Sequence, residues 1–423
     1  MLLAGRFRWF IAILLFLASA LSFFDRQVLS VLAPEILADL RMTNVEYSHA
    51  VSAFTLAYSI MFTVGGRLVD YVGTRLGLGL SVAFWTVASL LHSLVRSSPE
   101  LSFYRFLLGA GEGGCFPGAA RGILEWFPAR ERALAMGIAT TGGSAIGAVL
   151  APPLIVWAAA QTGWRGAFVV TGLIGAVWVF LWFAFYRQPE QSRFPTDAER
   201  NHILADRTRQ TDERAERPWP LAKLLSRKEV WGVTLTRFLL DPVFYFYMFW
   251  IPQYLHQERG ASLEDIGRLT WIPFFTLGVS SLAGGAVSDI LVRRGWTTGR
   301  ARKTIMAAAA FLTPVSILAL YAPDSFWAVV LLGVLMFAHG FWMTNYMTLI
   351  ADLFPPSTVA TVVGLTGTAG GIGGFLSSLM VGRFVEAWSF TPAFVICGIL
   401  YPVGLVIILA TIRRAEAQVE LQQ

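Results

Sequence analysis

Six ionisable residues stand inside stretches that are otherwise hydrocarbon: Asp25 and Arg26, Arg105 and Glu112, Arg237 and Asp241. A charge at the centre of a bilayer costs about 2.5 to 3.5 kcal/mol on insertion scales, so such groups face a bundle interior or a water-filled cavity. Arg105 and Glu112 are seven residues apart, almost two turns, which puts them on one helix face with Gly109 leaving open space between them. That face can hold an anion and a proton together. Asp25 and Arg26 are adjacent, about 100 degrees apart around a helix, so each should meet a different partner. Arg237 and Asp241, at salt-bridging spacing, either serve a site or only neutralise one another.

These residues need long apolar elements to position them, and the composition supplies them: of 423 residues, 55% are hydrophobic and 14% charged. Stretches long enough to cross a bilayer as a helix recur twelve times, at 9–33, 47–70, 77–96, 100–120, 133–157, 166–186, 230–255, 267–292, 303–321, 326–350, 359–383 and 391–412. They are numbered helix 1 to helix 12. Arg6, Arg8 and the apolar run after them resemble a cleavable signal, but eleven further spans favour an uncleaved first helix.

Of the 33 Lys and Arg, 24 fall in one set of loops and tails, six in the opposite set (Arg41, Arg96, Arg165, Arg259, Arg268, Arg383) and three within helices. The asymmetry predicts both termini in the cytoplasm and accounts for the +6 net charge without nucleic acid. Two cysteines, Cys115 and Cys397, each inside a helix, exclude a disulfide framework or metal site. No cofactor is expected.

Helix 1 then carries Asp25 and Arg26 about 24 Å from its cytoplasmic end, above the midplane. Helix 4, running inward, places Arg105 about 8 Å and Glu112 about 18 Å below its outer end, so the two pairs lie at one level.

A mixed-charge stretch from Arg187 separates two six-helix halves, 1–187 and 229–423, with 188–228 as a cytoplasmic linker. Residues 125–147 match 352–374 at an offset of 227, pairing Phe127 with Phe354 and Gly147 with Gly374. Residues 65–75 match 284–294 at 219, pairing Asp70 with Asp289 and Arg75 with Arg294. The first offset places His339 where Glu112 falls; an offset of 216 pairs Asp241 with Asp25. His339 is then a site residue or a packing histidine. "GAGEGG" at 109–114 fits a dinucleotide fingerprint, but lies inside a membrane helix with no strand before it. Its glycines read instead as surfaces for close helix approach. No phosphate-cradling Gly-Lys-Ser/Thr occurs, which disfavours ATP-driven pumping.

The run Gly66-x-Leu68-x-Asp70-x-x-Gly73-x-Arg75 resembles the loop signature of the major facilitator superfamily, a fold of twelve all-α transmembrane helices in two pseudo-symmetric bundles. The resemblance implies a cytoplasmic gate of Asp70 with Arg121, repeated at Asp289, although Asp70 could also simply cap a turn in water. "FFDRQVLS", "YRFLLGAGEG" and "FAHGFWMTNYMTLIADLFP" are similar to the anion:cation symporter branch, above all its hexuronate and sugar-acid permeases. By that resemblance Asp25 and Glu112 carry protons, while Arg26, Arg105 and Tyr58 hold a carboxylated sugar. The polar helix 11 residue of some sugar-acid members is replaced by the glycine run 370–374, leaving His339, Trp342, Asn345 and Tyr346 as candidates for hydroxyl recognition. The implied partners are an anionic sugar acid, protons and lipid, and a monomer suffices. A sodium-coupled or exchange carrier for phosphate or another organic anion is the alternative; a receptor or membrane enzyme is disfavoured.

Overall fold

The computed structural model describes residues 6–210 and 219–412. The linker's 211–218 and both chain ends, 1–5 and 413–423, lie outside the described residues.

Helix 1 is Phe7–Val31, helix 2 Asn44–Val72, and helix 3 Thr74–Leu91 with a tight turn at His92–Leu94. Helix 4 comes in two pieces, Ser98–Glu112 and Cys115–Trp126, interrupted at the paired glycines 113 and 114. Helix 5 begins at Ala129–Met136, widens into a π-helical turn at Gly137–Gly142, and enters Gly143–Phe185. That long run breaks at Gly163, whose φ of 72° a side chain would resist, and continues as helix 6. Helix 7 is Lys228–Arg259, helix 8 Trp271–Arg293, and helix 9 Thr298–Leu312, tightened into a 3-10 turn at Thr313–Tyr321. Ser325–Leu353, Pro356–Ala387 and Thr391–Thr411 complete the set as helices 10, 11 and 12.

Among the described residues nine helices are long and apolar enough to cross a membrane. Ala129–Phe185 is one of them and contains two passes. The other two passes are helix 4, which is interrupted, and helix 7, which carries Arg237 and Asp241. The elements that fail the simple test are thus among those that bear the membrane charges.

By internal contact the chain divides into two compact units, Met1–Leu40 with Ala53–Ala215, and Arg41–Ser52 with Glu216–Gln423. In the first, helix 1 packs on helix 5 and helix 2 on helix 4. In the second, helix 7 packs on helix 11 and helix 8 on helix 10. These are the same pairings half a chain apart, as the sequence repeat requires. Large apolar side chains such as Leu80, Phe180 and Val406 are exposed, as a lipid-facing surface demands.

The stretch read as linker contains a helix, Asp197–Gln210. Its Glu199 is buried and accepts from the backbone nitrogens of Phe7 at 3.1 Å and Arg8 at 3.0 Å, groups that no earlier helical carbonyl could satisfy. Arg8 also reaches Glu131 at 2.9 Å, and Phe7 stacks on Phe194 with centroids 5.0 Å apart.

Candidate functional site

Helix 1 turns its polar residues into two different seams. Toward helices 2 and 4, Arg26 Nε donates to Glu112 Oε2 at 2.6 Å, and Ser22 Oγ donates to the same oxygen at 2.8 Å. Arg26 is 3% exposed and Glu112 wholly buried. Such a pair needs close geometry and further hydrogen bonds to offset the loss of water. Ser22 provides one, and ring faces help: the Arg26 guanidinium lies 4.3 Å from the Tyr58 centroid and 5.4 Å from that of Phe54. Arg105, also fully buried, lies 4.5 Å from the Phe54 centroid, so the two arginines share that ring. The second Glu112 oxygen, Oε1, accepts no hydrogen bond.

Gly109 does not leave the open space expected between Arg105 and Glu112. A Cβ there would run into the Phe54 carbonyl oxygen, with the Tyr58 nitrogen 3.1 Å away. The glycine allows helix 2 to press directly on helix 4, and so brings Phe54 and Tyr58 against the two arginines.

Asp25 faces the other way, toward helices 3 and 6. Ser89 Oγ donates to Asp25 Oδ1 at 3.1 Å, and the Ser89 and Thr171 hydroxyls are 3.2 Å apart. The adjacent acid and base therefore do meet different partners. Asp25 shares a helix with Arg26 but not a seam with Glu112, and its hydrogen-bond partners are neutral hydroxyls.

In the second unit, Arg237 Nε donates to Asp241 Oδ2 at 3.0 Å, and Arg237 Nη1 reaches Thr366 Oγ1 at 3.5 Å. The glycine run of helix 11 has a positive use here: a Cβ on Gly370 would collide with the Asp241 carboxylate. His339 hydrogen-bonds the Tyr401 hydroxyl through Nδ1 and stacks on Phe244 at 5.4 Å. Its neighbours thus differ from those of Glu112, an aromatic pair replacing a guanidinium. Trp342 packs edge-on against Tyr401 at 5.5 Å, with its indole N–H unpartnered. Asn345 donates to the carbonyls of Gly284 and Phe341, and its Oδ1 has no partner. Tyr346 donates to the Val233 carbonyl at 2.8 Å. Those amide and hydroxyl donors tie helix 10 to helices 8 and 7, leaving the Trp342 N–H and Asn345 Oδ1 as the open polar atoms.

At the Asp70 loop, Arg121 Nη1 meets Asp70 Oδ1 at 2.7 Å, while Arg121 Nε reaches Glu125 at 3.2 Å. Arg75 turns away and donates to the Phe183 carbonyl of helix 6 at 2.8 Å. In the second unit, Asp289 pairs at 2.9 Å with Arg302 at the start of helix 9, and Arg302 also lies 3.7 Å from Asp352. The cation has changed element, because position 348, which matches Arg121 at the offset of 227, is a threonine.

The sequence reading missed Ser22, Phe54, Ser89, Thr171 and Tyr401. Ser22 carried a signal, standing one turn before Arg26 on the same face. The others are ordinary membrane-helix residues until the packing is known.

The description "Major Facilitator Superfamily" belongs to the family model that matches residues 15–378 and 295–422. The Hexuronate transporter of Escherichia coli (strain K12) is 29% identical over 97% of this chain and 95% of its own length. The D-galactonate transporter of Escherichia coli O6:H1 is 30% identical, covering 92% of each. Among solved structures, a bacterial homolog of the human lysosomal transporter Spinster superposes with a TM-score of 0.74 at 19% identity, over 96% of this chain and 95% of that one.

Proposed function

We propose, from the premise that the chain belongs to the Major Facilitator Superfamily, that it imports an anionic sugar acid together with protons by alternating access. It is a multi-pass membrane transporter and not an enzyme. The substrate class is a hexuronate or a related aldonate or aldarate, taken up across the inner membrane by a chain with both termini cytoplasmic, acting as a monomer. Relatives whose names specify hexuronate and D-galactonate support the class: both compounds join one carboxylate to several hydroxyls.

One observation carries the coupling, the buried pair of Arg26 with Glu112. An ionised Glu112 occupies the guanidinium that a substrate carboxylate would need. A proton on Glu112 releases Arg26, and Arg26 with Arg105 then receives the carboxylate through charge-assisted hydrogen bonds. Tyr58, held against Arg26, borders that anion site. Asp25 takes the second proton in its own seam, since a buried carboxylate whose hydrogen bonds come from hydroxyls and not from a guanidinium lacks the pairing that burial demands. With both acids neutral and the anion paired, the loaded site can cross. Release to the cytoplasm lets Glu112 recapture Arg26.

In the second unit the Trp342 N–H and Asn345 Oδ1 serve the substrate hydroxyls beside His339, while Tyr346 holds helix 10 in place. Arg237 and Asp241 neutralise each other. Asp70 with Arg121, Arg75 with the Phe183 carbonyl of helix 6, and Asp289 with Arg302 fasten the cytoplasmic side.

The test is uptake into proteoliposomes under imposed pH and sodium gradients, with uronates, aldonates and aldarates offered in turn. Accumulation driven by pH and restricted to sugar acids supports the reading. Accumulation driven by sodium, or phosphate preferred to every sugar acid, sinks it.

A further inference from the structure

A buried imidazole with one nitrogen unaccounted for stands next to the Asp25 seam. His92 lies in the turn His92–Leu94 that finishes helix 3, and it is fully buried. Its ring stacks on Phe168 of helix 6, with centroids 4.8 Å apart and planes 15° from parallel. Nδ1 is 2.7 Å from the Ala88 carbonyl oxygen, which can only accept, so Nδ1 carries the hydrogen and donates. Nε2 is then a bare lone pair, with no hydrogen-bond partner among the described residues. A buried acceptor without a partner calls for an explanation, and carrying a proton is one that imidazole chemistry suits.

Helical periodicity fixes what lies next to it. Ser89 stands three residues before His92 on helix 3, and Thr171 three after Phe168 on helix 6. His92 with Phe168 therefore forms one layer of the seam and Ser89 with Thr171 the next. Ser89 in turn donates to Asp25 at 3.1 Å. In the opposite direction the chain leaves helix 3 at Val95, whose carbonyl accepts from Arg165 at 3.0 Å, and Arg165 pairs with Asp39 in a solvent-exposed bridge. His92 thus stands between an exposed rim at Asp39 and Arg165 and the pair of hydroxyls beside Asp25. Arg105 and Tyr104 are the charged and titratable groups that face His92 from helix 4. Helix 6 presents Phe168 there, and helix 1 presents Asp25 through Ser89, with Glu112 and Arg105 of helix 4 within electrostatic reach of that carboxylate.

We propose that His92 relays protons between the outer solution and Asp25 along the seam of helices 1, 3 and 6, separate from the face of helix 1 where Arg26 and Glu112 stand. Nε2 binds an incoming proton, and the imidazolium passes it on by way of water and the Ser89 and Thr171 hydroxyls, each accepting one proton as it gives up another, to the Asp25 carboxylate, so only N–H and O–H bonds form and break. The relay rests on the reading of Asp25 as a proton site. It explains how Asp25 can be loaded while Glu112 is still engaged with Arg26: the two acids are reached by different routes.

The experiment uses the full chain in proteoliposomes with radiolabelled D-glucuronate, comparing wild type, His92→Gln, His92→Ala and Asp25→Asn. Two readouts separate relay from packing: pH-gradient-driven uptake as a function of external pH, and counterflow at equal pH, which requires no net proton movement. Both His92 variants are expected to lose the external-pH dependence of driven uptake while keeping counterflow, and added imidazole to restore driven uptake in His92→Ala. A wild-type pH profile in His92→Gln overturns the relay. So does a parallel fall of counterflow and driven uptake without imidazole rescue, which assigns His92 to packing. Asp25→Asn distinguishes the two levels. Retained proton-driven accumulation in that variant removes Asp25 as a proton site and the relay with it. Lost accumulation there beside a normal His92→Gln removes the relay alone.

Discussion

In the first unit the base and acid of the membrane pair come from different helices, Arg26 from helix 1 and Glu112 from helix 4. In the second, Arg237 and Asp241 stand one turn apart on helix 7. A pair shared between helices opens when those helices shift or when a third charge competes, so it can report on a substrate. A pair within one helix closes on itself whatever its neighbours do. The same exchange of elements marks the two loop clusters: Asp70 draws its cation from helix 4, Asp289 from helix 9. The units keep a common scaffold and differ in which element supplies the charge, and on the proposed function that difference puts coupling in the first unit.

Glu112→Gln would break this contrast most severely. It should abolish uphill accumulation under a pH gradient yet leave counterflow, whereas Asp241→Asn, which keeps a hydrogen bond to Arg237, should preserve accumulation. Equal loss in both would erase the distinction. Next comes Arg105→Lys, which replaces a planar fork with a point donor. Losing a charged hydrogen bond worth about 1.5 to 3 kcal/mol should weaken substrate affinity roughly tenfold to a hundredfold, read as KM in transport.

Stability separates the two pairs in another way. Asp241→Leu alone should cost up to about 3 kcal/mol by leaving the part-buried Arg237 without its carboxylate, and adding Arg237→Met should recover most of that with transport intact. The corresponding Arg26→Met with Glu112→Leu should recover the fold but not transport, and thermal unfolding in detergent with parallel uptake assays checks both. The loop clusters should differ more modestly. Each arginine stands between two acids, so burial decides: Arg302, 10% exposed, should be more costly to remove than Arg121, 31% exposed, by about 1 kcal/mol.

The smallest effect belongs to the exposed pair of Asp39 with Arg165. The Arg165 guanidinium, hydrogen-bonded at 2.6 Å, holds the Asp39 carboxyl below its ordinary 3.8. Because the folded value is the lower one, the pair's stabilisation is present above pH 3.8 and fades as pH falls through the folded value. Asp39→Asn should flatten that acid limb slightly, and only at low salt, because both side chains are more than a third exposed. A flattening that persists in high salt would contradict the assignment.

What the sequence made legible follows from what membranes forbid. Twelve apolar spans and six charges inside them are improbable without a bundle to receive them, so the passes and the common level of Asp25, Arg26, Arg105 and Glu112 could be read directly, whereas the pairing of Arg26 with Glu112 came only with the packing. Hydroxyls leave no such trace, because serine and threonine satisfy themselves on a preceding carbonyl of their own helix, as Ser59 does on Thr55. Ser89 and Thr171 therefore surfaced only with the packing. Arg302 escaped because the offset between halves changes from 219 to 227 across the loop before it; at 227 it, and not Arg294, corresponds to Arg75. The Asp70–Arg121 contact came from a resemblance, and the 2.7 Å separation now gives it geometry.

The carboxylate of Glu199 on the first amides of helix 1 bears on how this chain can be cut. A half-transporter ending near 187, where the hydropathy alone invites division, would leave Phe7 and Arg8 without the acceptor that finishes their helix. Extending the fragment through 210 keeps that acceptor and the aromatic contact of Phe194. For split expression or insertion of a reporter, the natural seam lies after the linker helix rather than before it.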